Sequence, residues 1–222
     1  MGTSSQLHKM KKQRIALFHN HPECSVECAH GILRALGLAY DVDVINRDEL
    51  TDDILSRYKM IAFPGGIGDS NRYYKLLADK QDVIQNQIAN GKRYLGICMG
   101  AYWAGPHYFN ILEDVNPVQY IKRPNAETNR SYGTVVNVTW NGHDEEMFFY
   151  DGCSLLGDTN KFETIATYSN GDPAAIIQKN IGVIGPHPES DIYWYKKKFL
   201  KPYWHEYRHH TLLLKFVKRL MR

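Results

Sequence analysis

The stretch KRYLGICMGAYWAG, Lys92–Gly105, decides how the rest of the chain is read. Arg93 to Ile97 form a short apolar run of the kind that builds a buried strand, and Ala101 onward can open a helix. Between them Gly96-Ile97-Cys98-Met99-Gly100 reads as G-x-C-x-G, the cysteine form of a nucleophile elbow. In such a corner the central residue holds a strained backbone. A glycine two positions to either side removes the side chain that would strike the flanking strand or helix.

Working outward, the first half alternates short apolar runs with helix-like segments. RIALFH (14–19) precedes VECAHGILRALGLA, YDVDVIN (40–46) precedes DELTDDILSRY, and KMIAFPGG (59–66) precedes a long segment from Tyr74 to Asn90 that stops at Gly91. This alternation predicts a mainly parallel sheet covered on both faces by helices. From Val135 the pattern changes to strand-like pieces split by turn signals at Asn141-Gly142, Asp151-Gly152 and SNGDP, then AAIIQ, KN and IGVIG. These predict antiparallel additions to the sheet, closed by a basic amphipathic helix near Thr211 to Met221.

With 222 residues, 43% hydrophobic and 23% charged, the composition fits one α/β domain over residues 11–222 behind a flexible leader at 1–10. No apolar run approaches the ~20 residues a membrane span needs, and RIALF is too short for a secretory core, so a cytoplasmic protein without membrane association is expected. The net charge is +3, and the basic, aromatic-rich YKKKFLKPYWHEYRHH reads as a solvated helix face rather than a nucleic-acid surface. Four cysteines without a secretion signal are expected as thiols.

In a parallel sheet the loops beyond the strands' carboxyl ends converge on the ligand. Those loops hold His19 to Cys28, Pro64 to Asn71, Cys98 to Gly100 and Pro186 to Ser190. Cys98 at the elbow is the candidate nucleophile; its rival reading is a buried strand-end cysteine among packing glycines. His187, between Pro186 and Pro188, is the candidate base, and Glu189 two residues on can orient its other ring nitrogen. The plain alternative makes both ordinary loop residues. The N–H groups of Met99 and of Gly66 in FPGGIGDSN are candidate oxyanion donors. Gly65, His21, Tyr102 and Trp103 are weaker candidates for lining the pocket, and the two aromatics serve equally well to pack a helix on the sheet.

FPGG, GICMG and HPE, in this order, resemble the class I glutamine amidotransferases. A nearer resemblance is to the amidotransferase-like domain at the amino end of eukaryotic biotin–protein ligases, carried by SVECAHGILRAL, FPGGIGDSNRYYKLL, NGKRYLGICMGAYWAG and DPAAIIQKNIGVIGPHPE. The resemblance implies a three-layer, flavodoxin-like core and gives Cys98, His187 and Glu189 the roles of nucleophile, base and orienting acid. It departs where glutaminases carry G-H-Q after the nucleophile and this chain has Ala101-Tyr102-Trp103, which argues against glutamine as substrate. Two functions stay open: a thiol enzyme acting on a small-molecule or protein amide, or a binding or regulatory module that keeps the fold. No cofactor is expected, and a protein partner is compatible with either.

FHNHPECSVECAH gathers His19, His21, Cys24, Cys28 and His30, residue types that ligate zinc, but it crosses from loop to helix partway, and the expectation is no bound metal. Cys153 in the turn-like YDGCSLLG reads as a packing residue.

Overall fold

A computed structural model describes residues 10–66 and 68–222; all but Met10 of the expected leader lies outside them. Five parallel strands form one half of a nine-stranded sheet: β1 (Arg14–Phe18), β2 (Asp41–Ile45), β3 (Met60–Phe63), β4 (Arg93–Ile97) and β11 (Ile181–Ile184). The other half is antiparallel, built from β6 (Thr134–Trp140), β7 (His143–Phe149), β9 (Glu163–Tyr168) and β10 (Pro173–Gln178), and the full order is β2-β1-β3-β4-β11-β10-β9-β6-β7. Antiparallel pairing therefore carries as much of the sheet as parallel pairing. Beside it lies a two-stranded sheet of β5 (Val115–Gln119) and β8 (Cys153–Gly157), which the turn-like reading of YDGCSLLG missed.

Strand alternation explains the layers. Ile15 and Leu17 face one side and pack with Ile32 and Leu36 of α1 (Val26–Leu36) and with Leu213, Phe216 and Val217 of α6 (Arg208–Leu220). Ala16 and Phe18 face the other, against Leu55 of α2 (Asp52–Leu55), Ile84 and Ile88 of α4 (Gln81–Ala89), and Trp103 of α5 (Met99–Trp103). A strand buried on both faces reads as a continuous apolar run, and this is why RIALF and MIAF carry no polar alternation.

The helix expected over Tyr74 to Asn90 is broken into α3 (Ser70–Tyr74), a 3-10 turn at Ala78–Lys80, and α4. Gly91, at φ +100°, ends the segment as its sequence predicted. The last helix begins at Arg208, three residues earlier than its hydrophobic period indicated.

Candidate catalytic site

At the end of β4 the chain turns through Cys98 with φ 53° and ψ −105°, a conformation that side-chain-bearing residues rarely adopt. Both flanking glycines are required by contact. A Cβ on Gly96 would strike the Gly100 carbonyl, and one on Gly100 would strike the Phe63 carbonyl at the end of β3. Tyr94 ties the corner down by donating its hydroxyl to the Gly100 carbonyl at 2.6 Å. Cys98 is consequently half-buried, with its thiol donating to the Tyr150 carbonyl at 3.4 Å.

His187 follows β11, the neighbour of β4. Its backbone N–H is fixed by the Phe148 carbonyl at 2.8 Å, and its ring lies edge-on to Phe148 and Trp194. Nδ1 meets Glu189 Oε1 in a buried pair, the imidazole 3% and the carboxylate 0% exposed. The loop is clamped from behind by α6 and the turn before it: His210 Nε2 donates to the carbonyls of Glu189 and Ser190, both at 3.0 Å, and His205 Nε2 approaches the Ser190 carbonyl at 2.9 Å.

Among the described residues, Glu189 Oε2 is buried without a hydrogen-bond partner. A buried carboxylate served at one oxygen is costly unless its neighbour carries the opposite charge. The His187 ring fits that need. Burial opposes its protonation, but Glu189 and the thiols of Cys98 and Cys28 outweigh burial and push its pKa well above the usual histidine range.

Cys28 is the member of this group that sequence reasoning placed elsewhere. Ser25 caps α1 by accepting the Cys28 N–H at 3.1 Å, which sets Cys28 in the helix's first turn above the carboxyl ends of the strands. Its sulfur lies within 4.8 Å of ligand atoms of both His187 and Glu189. Burial pushes its thiol pKa up, and the His187 ring opposes that shift only in part.

The other candidates separate. Gly65 packs directly on the group: a Cβ there would lie 2.8 Å from Cys28 Sγ and 3.0 Å from His187 Cε1. Gly66 lies over the Met99 side chain and pairs in an isolated bridge with Cys24. Trp103, contrary to a pocket-lining role, is 1% exposed, packs on Phe63, Tyr74 and Phe109, and donates its indole N–H to the Ser70 carbonyl at 3.3 Å. His21 is exposed and lines neither cavity at Cys98, a second correction. The residues His19, His21, Cys24, Cys28 and His30, close in sequence, separate in the fold: Cys24 is buried beside Gly66, and His30 faces solvent against Tyr193. Among the described residues, the group with metal-ligand spacing is instead Cys28, His187 and Glu189.

Two cavities meet at Cys98. One, of about 570 Å³, is walled by Cys28, His187, Tyr132, Phe148, Tyr193 and Trp194, with Lys196 and Lys197 among its lining residues. The second, of about 600 Å³, is lined by Asp69, Ser70, Asn71, Tyr102, Tyr108 and Gln119. Gly66, Gly68 and Tyr150 belong to both. Tyr102 thus does line a cavity, with its hydroxyl donating to the Asp151 carbonyl at 3.0 Å. The aromatic walls around Phe148 and Trp194, and the role of Tyr150, carried no motif that a sequence could announce.

Residues 16–113 match the family model of the biotin-protein ligase N-terminal domain. No curated protein matches the chain. Among solved structures, a glutamine amidotransferase from Thermotoga maritima superposes with TM-score 0.69 at 12% identity, covering 95% of this chain and 99% of its own. PurLQS from the same organism gives 0.64 at 14% identity, covering 94% and 99%. A glutamine amido transferase from Methylobacillus flagellatus gives 0.59 at 11%, covering 95% and 93%. At these identities the likeness speaks for the fold, and no helix among the described residues is long and apolar enough to cross a membrane. The resemblance read from FPGG, GICMG and HPE is thereby borne out: the chain has the class I glutamine amidotransferase-like fold, and its residues 16–113 carry the signature of the biotin-protein ligase N-terminal domain.

Proposed function

We propose that this chain is a cysteine-nucleophile enzyme that hydrolyses or transfers an amide-bound or otherwise activated acyl group. The observation that carries the reading is the strained Cys98 backbone, φ 53°, which holds the sulfur in a cavity it shares with His187, whose ring is paired from behind with buried Glu189. Cys98 Sγ attacks the carbonyl carbon, and His187 holds the proton that the thiol gives up. As the tetrahedral intermediate collapses, the C–N bond breaks and His187 passes that proton to the leaving amine. Water, or an acceptor amine or alcohol, then attacks the thioester with His187 as base and releases the Cys98 sulfur. Glu189 keeps Nδ1 occupied, so Nε2 is the nitrogen that works. The Met99 N–H opens α5 without an intrahelical acceptor, and with the Gly66 N–H it would hold the oxyanion.

The cavity walls favour a substrate with an apolar or aromatic body over free glutamine. Phe148, Trp194, Tyr193 and Tyr132 suit flat surfaces, and Lys196 and Lys197 in the lining suit a negative charge. Both a small molecule and a protein side chain or terminus fit this description.

Alkylation by iodoacetamide at pH 7 tests the nucleophile directly, read peptide by peptide by mass spectrometry. Cys98 is expected to label at least ~10-fold faster than free cysteine, and His187→Ala to remove most of that advantage. Labelling of Cys98 at the rate of an ordinary thiol, with or without His187, would refute the assignment.

A further inference from the structure

One imidazole behind the loop that carries His187 and Glu189 has a partner at each of its nitrogens. His205 Nε2 donates to the Ser190 carbonyl at 2.9 Å, and His205 Nδ1 accepts the His209 N–H at 3.3 Å. An imidazole that donates at one nitrogen and accepts at the other is neutral, here with its proton on Nε2. We propose that His205 is a positioning residue: its neutral ring ties the first turn of α6 to the loop bearing Glu189, and a proton taken up at Nδ1 breaks that tie and frees the loop.

Ser190 passes the restraint on to the site. Its carbonyl accepts His210 Nε2 at 3.0 Å as well as His205, its hydroxyl meets the Tyr195 hydroxyl at 2.8 Å, and its N–H returns to the His187 carbonyl at 3.2 Å. The Glu189 carbonyl next to it presses on α1 so closely that a Cβ on Gly31 would lie 2.4 Å away. The loop is thus wedged between α1 and the start of α6, and His205 closes the wedge.

A proton on Nδ1 would set two donors against each other, the new N–H and that of His209. The surroundings oppose it further. His205 is buried at the positive end of the 13-residue α6, whose dipole disfavours a cation there. From α6, the His209 ring stacks on it at 4.3 Å, the His210 ring lies at 5.5 Å, and Arg208 adds a positive charge. Across a cavity of about 430 Å³ stand Asp144, Glu145 and Glu146, which favour the proton. Glu145 is engaged by Arg208 and His209, and Asp144 and Glu146 are solvent-exposed and screened. Tyr195 from the loop and Tyr203 and Trp204 from its own segment are uncharged in this range. The same cavity gives protons a path to the ring. A released histidine titrates near ~6.5, so each pH unit below that favours release by about 10-fold until the held ring itself titrates. That release disables chemistry rests on the role proposed for His187; the tie itself does not.

Nuclear magnetic resonance of the full chain tests this. At pH 7 the ring nitrogens of wild-type His205 should report a neutral imidazole with its proton on Nε2, and the ring should not titrate down to pH 5. Exchange of the His187 and Ser190 amides, corrected for its intrinsic rate, should accelerate about 10-fold from pH 6 to pH 5. His205→Gln keeps a donor for the Ser190 carbonyl but takes up no proton, so in that variant the corrected rates should change less than ~2-fold. A ring protonated on Nδ1, a His205 midpoint near 6.5 in the folded chain, or corrected wild-type exchange that ignores pH would each overturn the proposal, as would an unchanged slope in a folded His205→Gln chain. The first three readouts use the unsubstituted protein, so a variant that fails to fold leaves the test standing. Iodoacetamide labelling of the same samples separates the two readings: a pH-driven loop with Cys98 labelling at the ordinary rate sinks only the nucleophile, and fast labelling beside a pH-insensitive loop sinks only the tie.

Discussion

Gly65→Ala places a methyl group between the two residues that the site most needs together. The added carbon would sit 2.8 Å from Cys28 Sγ and 3.0 Å from His187 Cε1, both inside the 3.4 Å at which ordinary contact begins. Neither neighbour yields easily. Cys28 is fixed by its helix cap, and His187 by the Phe148 carbonyl on one side and Glu189 on the other. Overpacking of this kind costs ~1–3 kcal/mol, and the stiffer unfolded chain of an alanine variant returns about 0.4–1 kcal/mol. The net loss is then about 0–2.6 kcal/mol, centred on ~1.3 kcal/mol, which for a chain of this length lowers Tm by roughly 3–5 °C at the centre and by about 10 °C at most. The functional effect should be larger in proportion, because the group displaced is the imidazole that faces Cys98.

The comparison that makes the experiment decisive is Gly66→Ala. There the methyl would meet Met99 Sδ and Cε, the far end of a flexible side chain, and Met99 can swing aside without moving His187. Differential scanning fluorimetry and the rate of Cys98 alkylation should therefore separate the two: Gly65→Ala lowers both Tm and labelling rate, while Gly66→Ala keeps the labelling rate within about 2-fold of wild type. If Gly65→Ala labels and melts like wild type, the close approach of Cys28 and His187 is not enforced. If Gly66→Ala slows labelling as much, the effect is general loosening of the corner and the reasoning from His187 fails.

Two further outcomes follow from burial alone. Trp103→Ala should cost ~3–5 kcal/mol in urea unfolding yet leave alkylation of Cys98 in the folded protein unchanged, the reverse of what a pocket-lining aromatic would do. Stability should also peak near pH 6.5–7 and fall on both sides. Burial pushes the His205 imidazole down to about 3, with the neighbouring His209 ring and the Arg208 guanidinium acting in the same direction and the Ser190 carbonyl opposing; burial lowers His209 despite Glu145. Below the unfolded value near 6.5 the unfolded chain gains protons that these two folded histidines refuse, so each removes up to about 1.4 kcal/mol per pH unit as pH falls towards the folded values. His187 has the opposite sign. Its raised pKa adds stability that is complete below about 6.5 and is lost as pH rises towards its folded value. Urea midpoints at pH 5, 6, 7 and 8 check the shape, and a midpoint that does not change between pH 7 and 5 would contradict the buried, neutral state of His205 and His209.

The parallel half of the sheet was legible because burial on both faces leaves its mark as unbroken apolar runs, as at Ile15–Phe18 and Met60–Phe63. The elbow was legible because its two glycines have a steric cause visible in spacing alone. What stayed hidden depends on contacts between distant segments. Strand β5 carries Pro117 and mostly half-exposed residues, and β8 begins at a cysteine after a glycine, so neither has the alternation that marks a strand. Cys28 stood within a run of histidines and cysteines that invited a local metal site. Only the first turn of α1, beyond the carboxyl ends of the strands, brings it to His187, from which it is separated by most of the chain. Trp103 was ambiguous for a related reason: the residue after an elbow can point to the cavity or to the sheet, and helix phase decides.

The position of Tyr150 gives the site a property that no single motif carries. Its carbonyl receives the Cys98 thiol at 3.4 Å, and the residue borders both cavities. One cavity is largely aromatic, with Lys196 and Lys197 in its lining; the other is edged by Asp69, Asn71 and Gln119. An acyl-transfer enzyme needs two things from its surroundings: a place for the acyl donor while the thioester forms, and an approach for the second nucleophile while it persists. On the proposed reading, a single sulfur at the junction of two chemically different cavities would meet both needs with one small motion, the release of its hydrogen bond to Tyr150. The aromatic side holds His187, so on that reading a leaving amine would be protonated there. The polar side holds Tyr102 in the position where the family pattern would place part of G-H-Q, so the departure from that pattern changes the second cavity and leaves the aromatic one, with its imidazole and two thiols, intact.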